Sequence, residues 1–251
     1  MERLPRVAVA GAGRGPILNG RRVVLWRHGR TAWNAARRFQ GHSDVPLDEV
    51  GRAQAAAAAP TLALMGPSMI ISSDLERARH TAVTLGQLVD LPVRIDPRLR
   101  ETHAGAWEGL DRPALERDFG EELAAWAAGS NLAPGGGERR SEVATRMLLA
   151  IDEALADVPA GGALVVATHG GSARAAIGSM LGLPTEHWGI LGVLTNCAWC
   201  VLAETNGVAN SLADLRTGPT ERFPDVPPTP KWRLVEYNAR TLPEDPVSDD
   251  R

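Results

Sequence analysis

The chain has 251 residues, 44% of them hydrophobic and 23% charged, with a net charge of −3. That length suits one large α/β domain with a sizeable core. The absence of a basic stripe argues against a nucleic-acid binder, and no apolar run approaches the ~20 residues of a membrane helix.

Residues 1–20 read as a flexible extension, because their apolar stretch is too short for a secretory leader. A single domain is expected over 21–242. Arg22–Trp26 reads as a first strand. Leu47–Met65 is rich in helix formers, with a break expected at Pro60. Ser68–Ser72 is a second strand, and Asp74 has N-cap chemistry for a helix over Leu75–Val89. "LPVRIDPRLRE" is a short strand running into a loop. Arg112–Ala128 follows as a helix interrupted at Gly120. "APGGGERRSE" reads as a flexible loop, and Ser141–Ala156 as the next helix. Ala163–Thr168 is the clearest strand, with a helix over Ser172–Leu181 behind it. "NCAWCVLAE" and "KWRLVEYNA" are two further strands. Between them, residues 205–230 form a long surface loop rich in turn residues. Residues 243–251 are an acidic tail. This alternation predicts an α/β fold of three layers, α/β/α, with a mostly parallel sheet.

The two cysteines, Cys197 and Cys200, have C-x-x-C spacing but no second pair to complete a metal site. In a strand, positions i and i+3 face opposite sides, so they read as buried thiols. Two cysteines support no disulfide framework, and a reducing, cytoplasmic setting is the expectation.

Three strands end alike. "VVLW" runs into Arg27-His28-Gly29, "MIIS" into Ser73-Asp74 with Arg77 one turn later, and "LVVAT" into His169-Gly170-Gly171. The carboxyl ends of parallel strands form the ligand crevice of such sheets. Forked guanidinium donors, glycines that admit a close backbone, and a helix N-terminus together suit a tetrahedral dianion. The cations should hold a histidine there neutral. A neutral imidazole can attack phosphorus, and a loop carboxylate such as Glu101 or Glu108 can protonate the leaving oxygen. Positioning and charge neutralisation then suffice for phosphoryl transfer without a metal. His42, His80 and His187 read as surface or structural histidines, and Arg30, Arg37 and Arg38 as a solvated basic face.

In that order, "RHGRTAWN", "SSDLERARHTA", "LRETHAGAWEG" and "ATHGG" resemble the histidine phosphatase (phosphoglycerate mutase-like) superfamily, over roughly residues 21–204 and again over 231–240. The resemblance implies that fold, a phosphohistidine formed on His28, and no cofactor or metal. It makes Arg27, Arg77, His169 and Asn34 the phosphate-binding residues and favours Glu101 over Glu108 as the acid/base. Gly29, Thr31, Gln40, Gly41, His103 and Gly170 are placed in the substrate pocket. Cofactor-dependent mutases of the family carry a tyrosine- and base-rich insert after the catalytic glutamate. Here that segment is short, and the chain's one tyrosine, Tyr237, lies near its end. Water is therefore the expected acceptor, which makes the chain a phosphatase. A mutase-type phosphotransferase and a non-catalytic phospho-ligand module are the alternatives.

"LRETHAGAWEGL", "APGGGERRSEVATR" and "HWGILGVLTNCAW" further resemble an actinobacterial branch of the family that dephosphorylates a glucosylated 3-phosphoglycerate. The implied substrate is a small organic phosphate monoester bearing a carboxylate or a sugar. Relatives are often dimers, so a homodimer is expected.

Overall fold

In strand β1 (Arg22–Arg27), Val23, Val24, Leu25 and Trp26 are all fully buried. Such a strand is apolar on both faces because both are covered. Successive side chains point to opposite sides, and the packing follows that period. Val23 and Leu25 join one apolar cluster, and Val24 and Trp26 join the other. The computed structural model describes residues 20–205 and 231–241. The expected 206–230 stretch of the long loop, the acidic tail and all but Gly20 of the extension lie outside them.

Six strands form one sheet in the order β3-β2-β4-β1-β5-β6. These are β2 (Pro67–Ser72), β3 (Val93–Ile95), β4 (Ala163–Thr168), β5 (Trp199–Glu204) and β6 (Trp232–Ala239). The pairs β1–β4, β4–β2 and β2–β3 are parallel, whereas β1–β5 and β5–β6 are antiparallel. The sheet is thus mixed, parallel on one side and antiparallel on the other. Helices α2 (Glu49–Leu64) and α3 (Glu76–Val89) cover one face through Ala55, Leu62 and Leu85. Helices α5 (Arg140–Leu155) and α6 (Gly170–Met180) cover the other through Met147, Ile151 and Ile177. Each such buried aliphatic side chain contributes roughly 1.5–3 kcal/mol, so the expected three-layer α/β/α arrangement has two substantial interfaces. A third, smaller cluster joins Phe39 and Trp107 to Leu115 and Trp126 of helix α4 (Arg112–Ala127). The four-residue α1 (Ala32–Ala35) follows β1. Among the described residues no helix is long and apolar enough to cross a membrane.

Several local expectations are corrected. Pro60 lies inside α2 and does not end it. Its missing N–H frees the Ala56 carbonyl, and both residues are exposed, so water can take that bond. Asp74 does not cap α3. Leu75 holds the cap position, and the Asp74 carboxylate is gripped by Arg100. The break in α4 falls at Phe119 (φ −138°, ψ 27°), one residue before Gly120. Cys197 stands ahead of β5 with φ 57°, so only Cys200 belongs to the strand; both are buried thiols. Burial pushes the Cys200 thiol up to about 12.

The glycine run after α4 is packed rather than loose. Residues 134–136 form a 3₁₀ turn, and Glu122 accepts from the Gly135 amide. A Cβ at Gly137 would lie 1.9 Å from the His103 carbonyl oxygen. Gly137→Ala is therefore expected to push the Glu101–Trp107 segment away and to cost about 1–3 kcal/mol. Urea unfolding would measure it, and an unchanged midpoint would contradict the packing argument.

Candidate active site

The register of the parallel sheet builds the site. Arg27 of β1 pairs with Thr168 of β4, so the next residues, His28 and His169, leave the sheet side by side. Their ring centroids are 5.1 Å apart. Ser73, just beyond β2, adds its hydroxyl 3.0 Å from His169 Nε2. Arg77, in the first turn of α3, is fully buried. Its Nε donates to His169 Nδ1 at 3.2 Å, and its two terminal nitrogens donate to the carbonyls of Ser43 and Gly41. Arg27 is also buried and donates to the Leu194 carbonyl. The structure thus gathers Arg27, His28, Arg77 and His169, from three parts of the chain.

The two histidines hold their protons differently. His28 Nδ1 donates to the Gly29 carbonyl at 2.7 Å, which leaves the Nε2 lone pair available. His169 Nδ1 accepts from Arg77, so its proton sits on Nε2 and is donated to Ser73. Both imidazoles are held well below their ordinary value of 6.5. Burial is the main cause, and the Arg77 guanidinium adds to it. Imidazole held neutral beside two guanidiniums is a nucleophile facing an anion site.

Residues around α1 brace this cluster. Thr31 caps α1 and accepts from the Asn34 amide, while Asn34 Oδ1 accepts from the Thr31 amide and from Asn196. The Thr31 hydroxyl also reaches Gln40 at 3.0 Å. Asn196 Nδ2 further donates to the His28 carbonyl. Gly29 serves packing more than ligand approach: a Cβ there would lie 2.3 Å from the Gly51 carbonyl oxygen at the start of α2.

Glu101 meets the cluster at α6. Its carboxylate accepts from the amides of Thr102, Gly171 and Ser172 at 2.8–3.0 Å. The α6 N-terminus, expected to offer amides to phosphate next to Gly170, therefore spends the Gly171 and Ser172 amides on Glu101. The Glu101 carbonyl accepts from Arg146 and from His42 Nε2. Arg146 also donates to the carbonyls of Arg98 and Arg100 and pairs with Glu138 at 2.9 Å, pinning the loop to α5. Glu108 is a loop brace. It accepts from the amides of His42, Ser43 and Ala104 and from the Ser43 hydroxyl. Burial alone would raise its pKa, but the amides of His42 and Ala104 and the Ser43 hydroxyl outweigh that and hold it below the usual range.

Not every expected residue joins the cluster. The His103 ring lies 5.1 Å from that of His42, tilted by 54°, with Glu108 3.9 Å away, on an exposed rim. Arg30 pairs with Asp48, and Arg38 donates to the Gly109 carbonyl. Ser73, Asn196 and Arg146 were not singled out from sequence. Ser73 carried a signal, as it occupies the strand end equivalent to His28 and His169. Arg146 had none, being one arginine on an amphipathic helix.

The histidine phosphatase superfamily (branch 1) model matches residues 23–213. A glucosyl-3-phosphoglycerate phosphatase from Mycobacterium tuberculosis is 42% identical over 229 residues, 88% of this chain and 96% of its own length. A probable phosphoglycerate mutase from Yersinia pestis is 37% identical over 167 residues, 65% of this chain and 76% of its own length. Among solved structures, a mycobacterial glucosyl-3-phosphoglycerate phosphatase in complex with VO3 superposes with a TM-score of 0.75 at 38% identity, covering 87% of this chain and 99% of that one. The fold expectation is thereby met. On this match the chain belongs to the histidine phosphatase superfamily, branch 1, and is a phosphoric monoester hydrolase.

Proposed function

We propose that the chain hydrolyses phosphate monoesters of the phosphoglycerate type, with glucosyl-3-phosphoglycerate the first candidate, through a phosphohistidine on His28 and without a metal. The observation that carries this reading is the His28 ring: Nδ1 committed to the Gly29 carbonyl, Nε2 unprotonated, and the guanidiniums of Arg27 and Arg77 beside it. In the first step the Nε2 lone pair forms a bond to phosphorus while the ester P–O bond breaks. Arg27, Arg77 and His169 hold the phosphoryl oxygens, and Glu101 gives the leaving oxygen its proton. In the second step Glu101, now a carboxylate, takes a proton from water. The water oxygen bonds to phosphorus, and the P–N bond breaks to restore neutral His28. Asn34, Thr31 and Gln40 frame the nucleophile. The relatives named for glucosyl-3-phosphoglycerate support the substrate class. The reading also carries the expectation of a cytoplasmic homodimer, which light scattering on the purified protein would check.

Release of phosphate from an aryl phosphate in excess chelator tests the chemistry. Loss of activity with chelator would exclude the metal-free route, and a screen of phosphoglycerates and sugar phosphates would rank substrates. Glu101→Gln is expected to lower kcat for alkyl esters by about 10²–10⁴-fold. The loss should be smaller for aryl phosphates, whose leaving group needs less protonation. Equal losses for both would remove Glu101 from the acid role.

A further inference from the structure

Glu101 belongs to no helix or strand. It lies between the 3₁₀ turns at Pro97–Leu99 and Gly105–Trp107. A general acid must nevertheless be held in place, because a misplacement of about 1 Å can cost about 10²-fold in rate. What holds this one comes from two helices, α5 and α6.

Arg146 of α5 grips the backbone. A guanidinium carries five N–H donors in a rigid fork, and here each of them meets an acceptor. Nη1 donates to the carbonyls of Arg98 and Arg100 at 2.7 and 2.6 Å, and Nη2 to the Glu101 carbonyl at 2.8 Å. Nε and Nη2 donate to the two Glu138 carboxylate oxygens, each at 2.9 Å. Glu138 in turn accepts from the His103 amide at 2.8 Å, and its own amide donates to the His103 carbonyl. One side chain therefore fixes the chain before Glu101, at Glu101 and, through Glu138, two residues after it.

Gly171, in the first turn of α6, gives the carboxylate its room. The amides of Gly171 and Ser172 donate to Glu101. A Cβ at Gly171 would lie 2.8 Å from Glu101 Oε1 and 3.3 Å from the Thr102 hydroxyl oxygen. The φ of Gly171 is outside the left-handed region, so its backbone does not call for glycine. Alanine is also the better helix former. What the missing side chain leaves free is the place of the carboxylate.

We propose that Arg146 and Gly171 are positioning residues for proton transfer at Glu101: Arg146 fixes the backbone that carries the acid, and Gly171 leaves the space its carboxylate occupies. The inference rests on the phosphatase reading above. Both residues act on the first step, in which the Glu101 proton passes to the leaving oxygen as the ester P–O bond breaks and His28 Nε2 bonds to phosphorus. An alkyl leaving oxygen needs that proton. A nitrophenolate leaves without it, so the two ester classes separate an acid out of place from a site that is damaged.

The experiment compares kcat/KM, which reports steps up to loss of the alcohol, for 3-phosphoglycerate and p-nitrophenyl phosphate. The full-length wild type, Arg146→Gln and Gly171→Ala are measured, each alone and combined with Glu101→Gln. Either single variant should lose about 10–100-fold on 3-phosphoglycerate and no more than about 3-fold on the aryl ester. Added to Glu101→Gln, either should cost less than about 3-fold further on 3-phosphoglycerate, because the acid it places is already gone. Equal losses on the two esters, or losses that multiply with that of Glu101→Gln, would overturn the assignment. Gly171→Ala changes no charge and keeps both amides, so it carries the test if Arg146→Gln does not fold. If Glu101→Gln itself loses equally on both esters while wild type cleaves them, the phosphatase chemistry stands and the inference falls. If wild type cleaves neither, the phosphatase reading fails and takes the inference with it.

Discussion

His28→Ala is expected to abolish phosphate release, lowering kcat by at least about 10⁴-fold, the scale on which removal of a covalent nucleophile acts. Removing the ring takes away the Nε2 lone pair and nothing that could replace it. His169, 5.1 Å away, has its Nδ1 lone pair occupied by Arg77 and its proton on Nε2, donated to Ser73. Wild type incubated briefly with substrate and quenched in alkali should carry phosphate lost in acid, as a phosphohistidine is; the variant should carry none. The fold should survive. β1 is anchored by the Val23–Trp26 core, and the lost side chain makes one hydrogen bond, to its neighbour's carbonyl. A stability change within about 2 kcal/mol is expected. Arg27 and Arg77 remain, so inorganic phosphate should still raise the variant's melting temperature. Turnover retained in a folded His28→Ala protein would place the nucleophile elsewhere.

The parts of the site legible from sequence are those set by short-range rules. An apolar run that ends in Arg-His-Gly or Thr-His-Gly-Gly marks a strand end, and parallel strands align such ends at one edge of a sheet. That logic alone brings Arg27, His28, Arg77 and His169 together. The fold class was legible for the same reason, from the alternation of runs and helix formers. What was not legible depends on tertiary packing. Arg146 holds the Glu101 loop through three carbonyls, yet as a sequence position it is one more cation on a helix. Asp74 follows a strand and precedes a helix, which is cap chemistry, but Arg100 is in reach and wins its carboxylate. The glycines at 135–137 read as freedom, whereas Gly135 and Gly137 admit a close approach to residues 103–107 that side chains would block. The antiparallel turn into β5 follows from a return segment without an α-helix, 182–198, which delivers Asn196 to the back of His28.

Stability is expected to fall by about 2–3 kcal/mol between pH 7.5 and 5.5. His28 and His169 are buried and held neutral in the folded protein, well below 6.5, by burial and then by Arg77. In the unfolded chain they titrate near 6.5. Below that pH the unfolded state binds protons that the folded site refuses, so the equilibrium moves toward unfolding. Each such proton is worth about 1.4 kcal/mol per pH unit. The stability is fully present above pH 6.5 and is lost as pH falls toward the folded values. His42, half-buried and lowered mainly by burial, acts in the same direction more weakly because it is nearer solvent. The carboxylates of Asp74 and Asp96 are held low, chiefly by their bonds to Arg100 and Arg98. Their stabilisation is lost only below the ordinary carboxylate range near 4, outside this window. Urea midpoints at pH 7.5, 6.5 and 5.5 would measure the slope. His28→Ala removes one of the two refused protons and should roughly halve it. Saturating phosphate should flatten the wild-type slope, because a dianion between the guanidiniums offsets the charge that Arg77 and Arg27 impose on both rings. A slope unchanged in His28→Ala would show that these histidines are not what makes the protein acid-sensitive.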